Sequence, residues 1–142
     1  MFLLDTDHIV VIQQRAEPEF NRLSIRMSGR SGDEFFVPII TFHEQVQGWN
    51  AYISRAKTSA GLVKGYARLE RILSDFSQAS ITPFDEAAAA RCDSLRKQRV
   101  RIGTMDLRIA AIALVHGYTL LSRNSVDFQK VPGLAVEDWT RP

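Results

Sequence analysis

Six side chains with oxygen-donor chemistry flank apolar runs of strand character. Asp5 and Asp7 follow Phe2-Leu3-Leu4, and Glu44 lies one helical turn beyond the run Phe35 to Ile40. Asp106 opens a helix that precedes Tyr118 to Leu121, and Asn124 and Asp127 follow that run. In open α/β sheets ligands bind in the crevice beyond the carboxyl ends of the strands. Asp106 reaches that crevice only if the loop Gly103-Thr104-Met105 returns the chain to the same edge. Two carboxylates ~4 Å apart repel by about 4 kcal/mol at an effective dielectric of 20, so several of them at one crevice require a cation or must stay protonated. Hard divalent ions such as Mg²⁺ or Mn²⁺ suit sites of carboxylates, water and substrate phosphate. Such an ion turns water into a nucleophile and neutralises charge developing on a phosphodiester. Metal-assisted phosphodiester hydrolysis is the chemistry most consistent with this set.

Each acid also has a purely structural role open to it. Thr41-Phe42-His43-Glu44 fits a capping box, Asp106 suits the positive end of its helix, Asp5 and Asp7 are placed to cap a helix beginning near His8, and Asp127 to brace the turn before Phe128. His8 and His43 lie near these segments, but an isolated histidine reads first as a hydrogen-bonded structural residue. Cys92 reads as packing in its alanine-rich helix.

The elements that would carry these groups alternate. Strands are expected at 2–4, 35–40, 80–82, 118–121 and 134–136. Helices are expected at 7–15, at 18–28 opening with Pro18, from Thr41 or Phe42 to Ala56, at 60–76, at 85–98, and at 104–116 ending on Gly117. Leu62, Tyr66, Leu69, Ile72, Leu73 and Phe76 recur at helical spacing in the fourth of these. Short apolar strands alternating with amphipathic helices predict a three-layer α/β sandwich around a central, mostly parallel five-stranded sheet.

The chain has 142 residues, so residues 1–142 are expected to form one domain. With 45% hydrophobic and 24% charged residues the composition is that of an ordinary globular protein and excludes a disordered chain. Lys and Arg number 18 against 16 for Asp and Glu, a balance too mild to mark a nucleic-acid binder by charge alone. One cysteine excludes an internal disulfide and a multi-cysteine zinc site. The opening apolar residues are interrupted at Asp5, which argues against a signal peptide. The run Ile109 to Val115 falls far short of the ~20 residues of a membrane helix. A cytoplasmic protein is expected.

Four segments in order resemble PIN-domain ribonucleases, and above all the VapC-like toxins of bacterial and archaeal type II toxin–antitoxin pairs. They are Phe2-Leu3-Leu4-Asp5-Thr6-Asp7; Ile40-Thr41-Phe42-His43-Glu44 with Gly48; Gly103-Thr104-Met105-Asp106 with Ile109-Ala110-Ala111; and Leu120-Leu121-Ser122-Arg123-Asn124-Ser125-Val126-Asp127-Phe128 running on to Trp139. The resemblance implies a five-stranded parallel sheet and a Mg²⁺- or Mn²⁺-dependent endoribonuclease. In it Asp5 and Asp106 hold the ion, Glu44 completes the pocket and orients the attacking water, and Thr6, Asp7 and Ser122 support them. Asn124 stands where many PIN domains carry a fourth acid; it offers a carbonyl oxygen but no charge, and Asp127 is a further candidate donor. The implied partners are RNA, a VapB-like antitoxin laid across the active-site groove, and a second copy in a homodimer, with no membrane. Arg101, Arg108 and Arg123 are candidates for holding RNA phosphates, whereas Arg96, Lys97 and Arg99 equally suit the negative end of their helix. Two other readings remain. One is a catalytically silent PIN-like module that binds RNA or protein. The other is a haloacid-dehalogenase-type phosphatase with Asp5 as nucleophile and Asp7 as acid–base, against which stand His8-Ile9 in place of Gly-Thr and the lack of a clear phosphate-holding lysine.

Overall fold

A computed structural model describes residues 1–142. Five parallel strands, β1 (Phe2–Leu4), β2 (Phe35–Pro38), β3 (Ile81–Thr82), β4 (Thr119–Leu121) and β5 (Val136–Glu137), form one sheet in the order β3-β2-β1-β4-β5. The helices are α1 (Thr6–Gln14), α2 (Glu19–Ser28), α3 (Ile39–Arg55), α4 (Ser59–Ser77), α5 (Glu86–Lys97), α6 (Thr104–His116) and α7 (Ser125–Phe128). No helix is long and apolar enough to cross a membrane.

Helices cover both faces of the sheet, so its strands are apolar throughout rather than alternating. Leu3 and Leu120 point to one face, where they pack with Ile40 of α3, Cys92 and Leu95 of α5, and Leu107 and the buried run Ile109 to Ala113 of α6. Phe2, Leu4 and Leu121 point to the other, against Val11 of α1, Leu23 of α2 and Trp139. A smaller cluster joins Val37 to Ile72 and Phe76 of α4. Helix α6 is apolar on nearly every side because it is buried in the core. It stops at Gly117, whose φ of +68° places it in the left-handed region that a C-terminal cap requires.

Strand order reverses at β1, which pairs with β2 on one side and β4 on the other. The crevice of such a sheet opens beyond the carboxyl ends of the strands that flank the reversal.

Several local expectations are corrected. Strand β2 ends at Pro38, which lacks the N–H to continue a ladder, and α3 starts at Ile39, two residues before the expected Thr41. Thr41 is therefore inside the first turn, the cap position falls on Pro38, and no Thr41–Glu44 capping box forms. Strand β5 is displaced to Val136–Glu137, because Gly133 takes a positive φ of +79° and the ladder to β4 begins only at the Ala135 carbonyl. Residues 125–128, expected as a turn, make the single helical turn α7. The apolar stripe of α4 is wider than its buried face: Ile72 and Phe76 are buried, whereas Leu62, Tyr66 and Leu73 are exposed.

Candidate active site

Asp5 leaves β1 and caps α1, and each of its oxygens is held. Oδ1 accepts the Thr6 N–H at 2.7 Å, and Oδ2 accepts the Ser122 hydroxyl at 2.7 Å. The residue is only 6% exposed. Burial, and next the charge of Asp7, push its carboxyl up to about 7 despite those two hydrogen bonds, with Asp106 adding to the repulsion.

Glu44 is the sixth residue of α3, half-buried, and accepts the Thr6 hydroxyl at 3.2 Å. Thr6 Oγ1 also lies 3.3 Å from Thr41 Oγ1. The early start of α3 thus turns Thr41 from a cap into a second hydroxyl on the β1–β2 side of the site. Nothing in its spacing signals this, since the partner is 35 residues away. Burial raises the Glu44 carboxyl, and the charge of Asp106 adds to the rise.

Asp106 sits in the first turn of α6 and lies 3.4 Å from the Asn124 amide in the turn after β4, so the loop 103–105 does return the chain to the same edge. Its carboxyl is raised by burial first, then by Asp127 and Asp7. Asn124 donates its amide N–H to Asp106 Oδ2 at 3.4 Å and to Asp127 Oδ2 at 3.1 Å. The amide nitrogen of Asn124, rather than its carbonyl oxygen, therefore faces these two acids. Asp127 is held low by Asn124 and by Lys130, whose ammonium lies 3.2 Å away. That pairing matches the bracing role open to Asp127 from the sequence.

Asp7 does not cap α1. Its Oδ2 accepts the Arg123 backbone N–H at 2.9 Å and lies 3.3 Å from Ser122 Oγ, tying α1 to the turn after β4. His8 is buried and hydrogen-bonded, as an isolated histidine should be. Among the basic candidates, Arg123 adjoins the site through that turn. Arg101 is exposed in the loop before α6. Arg108 lies two residues beyond Asp106, about 200° round the helix, with its guanidinium against Met105 and its charge felt by Cys92 of α5.

Asp5 at the end of β1, Glu44 of α3 and Asp106 of α6 thus gather at one edge, where the charge of Asp106 reaches both of the others and that of Asp7 reaches Asp5 and Asp106. The donor set is all oxygen, which suits a hard dication. No three of the acidic or histidine side chains close into a finished cage. A hard dication bound there would take one or two of these carboxylates and complete its shell with water and phosphate. Raised carboxyls are what such a donor set gives when no cation balances it. A cleft of about 300 Å³ between α1 and α4, lined by Ile9, Gln13, Val37, Arg71 and Phe76 among others, touches none of these acids.

The family model for the PIN domain matches residues 2–134. Ribonuclease VapC1 of Rickettsia felis is 30% identical over 138 residues, covering 94% of this chain and 92% of that protein. The tRNA(fMet)-specific endonuclease VapC of Salmonella typhimurium is 25% identical over 143 residues, covering 97% of each. Among solved structures, VapBC-1 from nontypeable Haemophilus influenzae has a chain of the same fold, with a TM-score of 0.74, 22% identity, and coverage of 99% of this chain and 98% of that one.

Proposed function

The chain belongs to the PIN domain family, and from that premise we propose that it is an endoribonuclease toxin restrained by a VapB-like antitoxin. It hydrolyses RNA phosphodiesters with a divalent cation, Mg²⁺ or Mn²⁺. When bound, that ion supplies a nucleophilic water at neutral pH and neutralises charge on the phosphate. Asp5 and Asp106 hold it. Glu44, fixed by the Thr6 hydroxyl, accepts a hydrogen bond from the attacking water and orients it towards phosphorus. Water adds to phosphorus as the bridging P–O bond breaks, its proton passing to solvent while the departing ribose oxygen takes one up from solvent, without a covalent enzyme intermediate. Ser122 and Thr6 keep the Asp5 and Glu44 carboxylates aimed into the crevice. Arg123 and Arg101 hold the flanking phosphates, a positioning role that carries no sequence information. Residues 1–142 act as one folding unit in this reading, supported by a sheet that takes strands from both ends of the chain.

The observation that carries the reading is the gathering of Asp5 and Glu44 on the two hydrogen-bonding groups of Thr6, with Asp106 reached through the 122–124 turn that also holds Asp5, and with the charge of Asp106 raising both other carboxyls. The test incubates the purified protein with transfer, messenger and structured RNAs in Mn²⁺ or Mg²⁺. Transfer RNA belongs in the panel because the Salmonella relative is named for it. Cleavage should vanish with a chelator and in Asp5→Asn and Asp106→Asn, with circular dichroism unchanged, and Asp106→Asn should no longer inhibit growth on expression. Cleavage that survives in both variants would overturn the assignment.

A further inference from the structure

His8 is completely buried, and both nitrogens of its ring have partners. Nε2 accepts the backbone N–H of Trp139 at 3.3 Å. The ring proton therefore sits on Nδ1, where it donates to Asp7 Oδ1 at 2.6 Å. The other Asp7 oxygen accepts the Arg123 N–H and faces Ser122 Oγ. The Ser122 hydroxyl donates to Asp5 and accepts the Asn124 N–H at 3.0 Å, and the Asn124 amide reaches Asp106. Hydrogen bonds lead from Trp139, 131 residues away in sequence, through His8 and Asp7 to the Arg123 N–H, and the backbone of the 122–124 turn carries the link on to the side chains that hold Asp5 and Asp106.

We propose that His8 is a positioning residue of the metal site. Clamped by the Trp139 amide, it fixes the Asp7 carboxylate, which in turn holds the 122–124 turn against Asp5 and Asp106. The proposal rests on the nuclease reading above and deepens it. Asp7 lies in the repulsive field of both acids and is 29% exposed. Without the Nδ1 donor, one of its oxygens has only water to turn to. Rotation of the carboxylate towards solvent would then release the Arg123 N–H and let Ser122 and Asn124 drift from their acids. In metal sites, groups hydrogen-bonded directly to the ligands are worth about 10–100-fold in metal affinity or activity, and His8, which acts through Asp7 and the turn, stands one step further out.

Two amide substitutions separate the two halves of the ring. The side-chain nitrogen in His8→Asn falls near the place of Nδ1 and keeps the donor to Asp7. The longer side chain in His8→Gln reaches the place of Nε2, which keeps a partner for Trp139 but loses that donor. Mn²⁺ binding to the full chain is read from the electron paramagnetic resonance of the free ion, beside the melting temperature without metal and the kcat and KM of RNA cleavage. His8→Gln should weaken Mn²⁺ binding by up to about 10-fold and lower kcat with little change in KM, whereas His8→Asn, which keeps the donor to Asp7 and loses only the clamp on Trp139, should lose clearly less. Equal affinities in the two variants would overturn the proposal, as would equal losses that simply follow the melting temperature. Asp106→Asn, measured alongside, separates the two ideas. If it still binds Mn²⁺ like the parent, the nuclease reading itself falls. If it loses the ion while the His8 variants match each other, only the role of His8 is lost.

Discussion

Asp5 carries a buried carboxyl whose folded value of about 7 lies above its ordinary 3.8. Between those values the folded chain keeps a proton that the unfolded chain has released, so stability falls as pH rises through this window and levels off above it. Glu44 and Asp106, also raised, act in the same direction. The metal-free protein should therefore melt at a lower temperature at pH 8 than at pH 5, and Asp5→Asn should remove much of that difference and raise the melting temperature at pH 8. A cation binds only the deprotonated acids. Added Mn²⁺ should accordingly raise the melting temperature far more at pH 8 than at pH 5, and a scanning fluorimetry series across pH reads both effects. A melting temperature that climbs from pH 5 to pH 8 without metal would contradict the buried, mutually repelling arrangement. Burial of the Asp5 carboxyl thus costs stability above its folded value, at a position that the proposed chemistry uses.

The hairpin of α3 and α4 shows how elements are locked together. Gly65 is buried on α4, and a Cβ there would collide with Ile53 Cγ1 of α3 and crowd Tyr52. Gly65→Ala should cost about 1–3 kcal/mol, because overpacking at a tight helix contact forces a side chain or the backbone to move. Gly48, within α3, has open space where its Cβ would lie. Gly48→Ala should instead stabilise by up to about 1 kcal/mol through helix propensity alone. Urea unfolding of the two variants gives the comparison, and a stabilised Gly65→Ala would show that the helices pack less closely. Because α3 carries Glu44, RNA cleavage by Gly65→Ala, measured where the variant remains folded, reports whether this contact also sets the position of Glu44.

At the scale of the whole molecule, the end of the chain closes the sheet at its beginning. Trp139 is 4% exposed and packs on Phe2 and Phe35 at ring-centroid distances of 4.7 and 6.0 Å, within the cluster of Leu4, Val11, Leu23 and Leu121. Trp139→Ala should cost about 3–5 kcal/mol, a large share of the roughly 5–15 kcal/mol typical of a folded protein. The urea midpoint should fall with little change in the slope of the transition. A loss under about 1 kcal/mol would mean that this face of the sheet holds without its C-terminal closure.

The alternation of strands and helices, the stop at Gly117, and the lodging of Asp5, Glu44, Asp106 and Asn124 near strand ends could all be read from the chain. Each depends on hydrophobic period, capping or turn chemistry, which act over a few neighbouring residues. The start of α3 is not legible locally, because a Thr-x-x-Glu pattern looks the same whether it opens a helix or lies one turn inside it, and Pro38 decides between them. The exposure of Leu62, Tyr66 and Leu73 was hidden because spacing tells which residues share a helix face, not whether another element covers it. Composition and local pattern thus determined the architecture and the donor chemistry. Tertiary structure alone decided that Thr41 meets Thr6, that Asn124 turns its nitrogen to Asp106, and that His8 joins Asp7 to Trp139. Those bonds link residues far apart in the chain, and only the parallel register of β2, β1, β4 and β5 brings them within hydrogen-bonding distance.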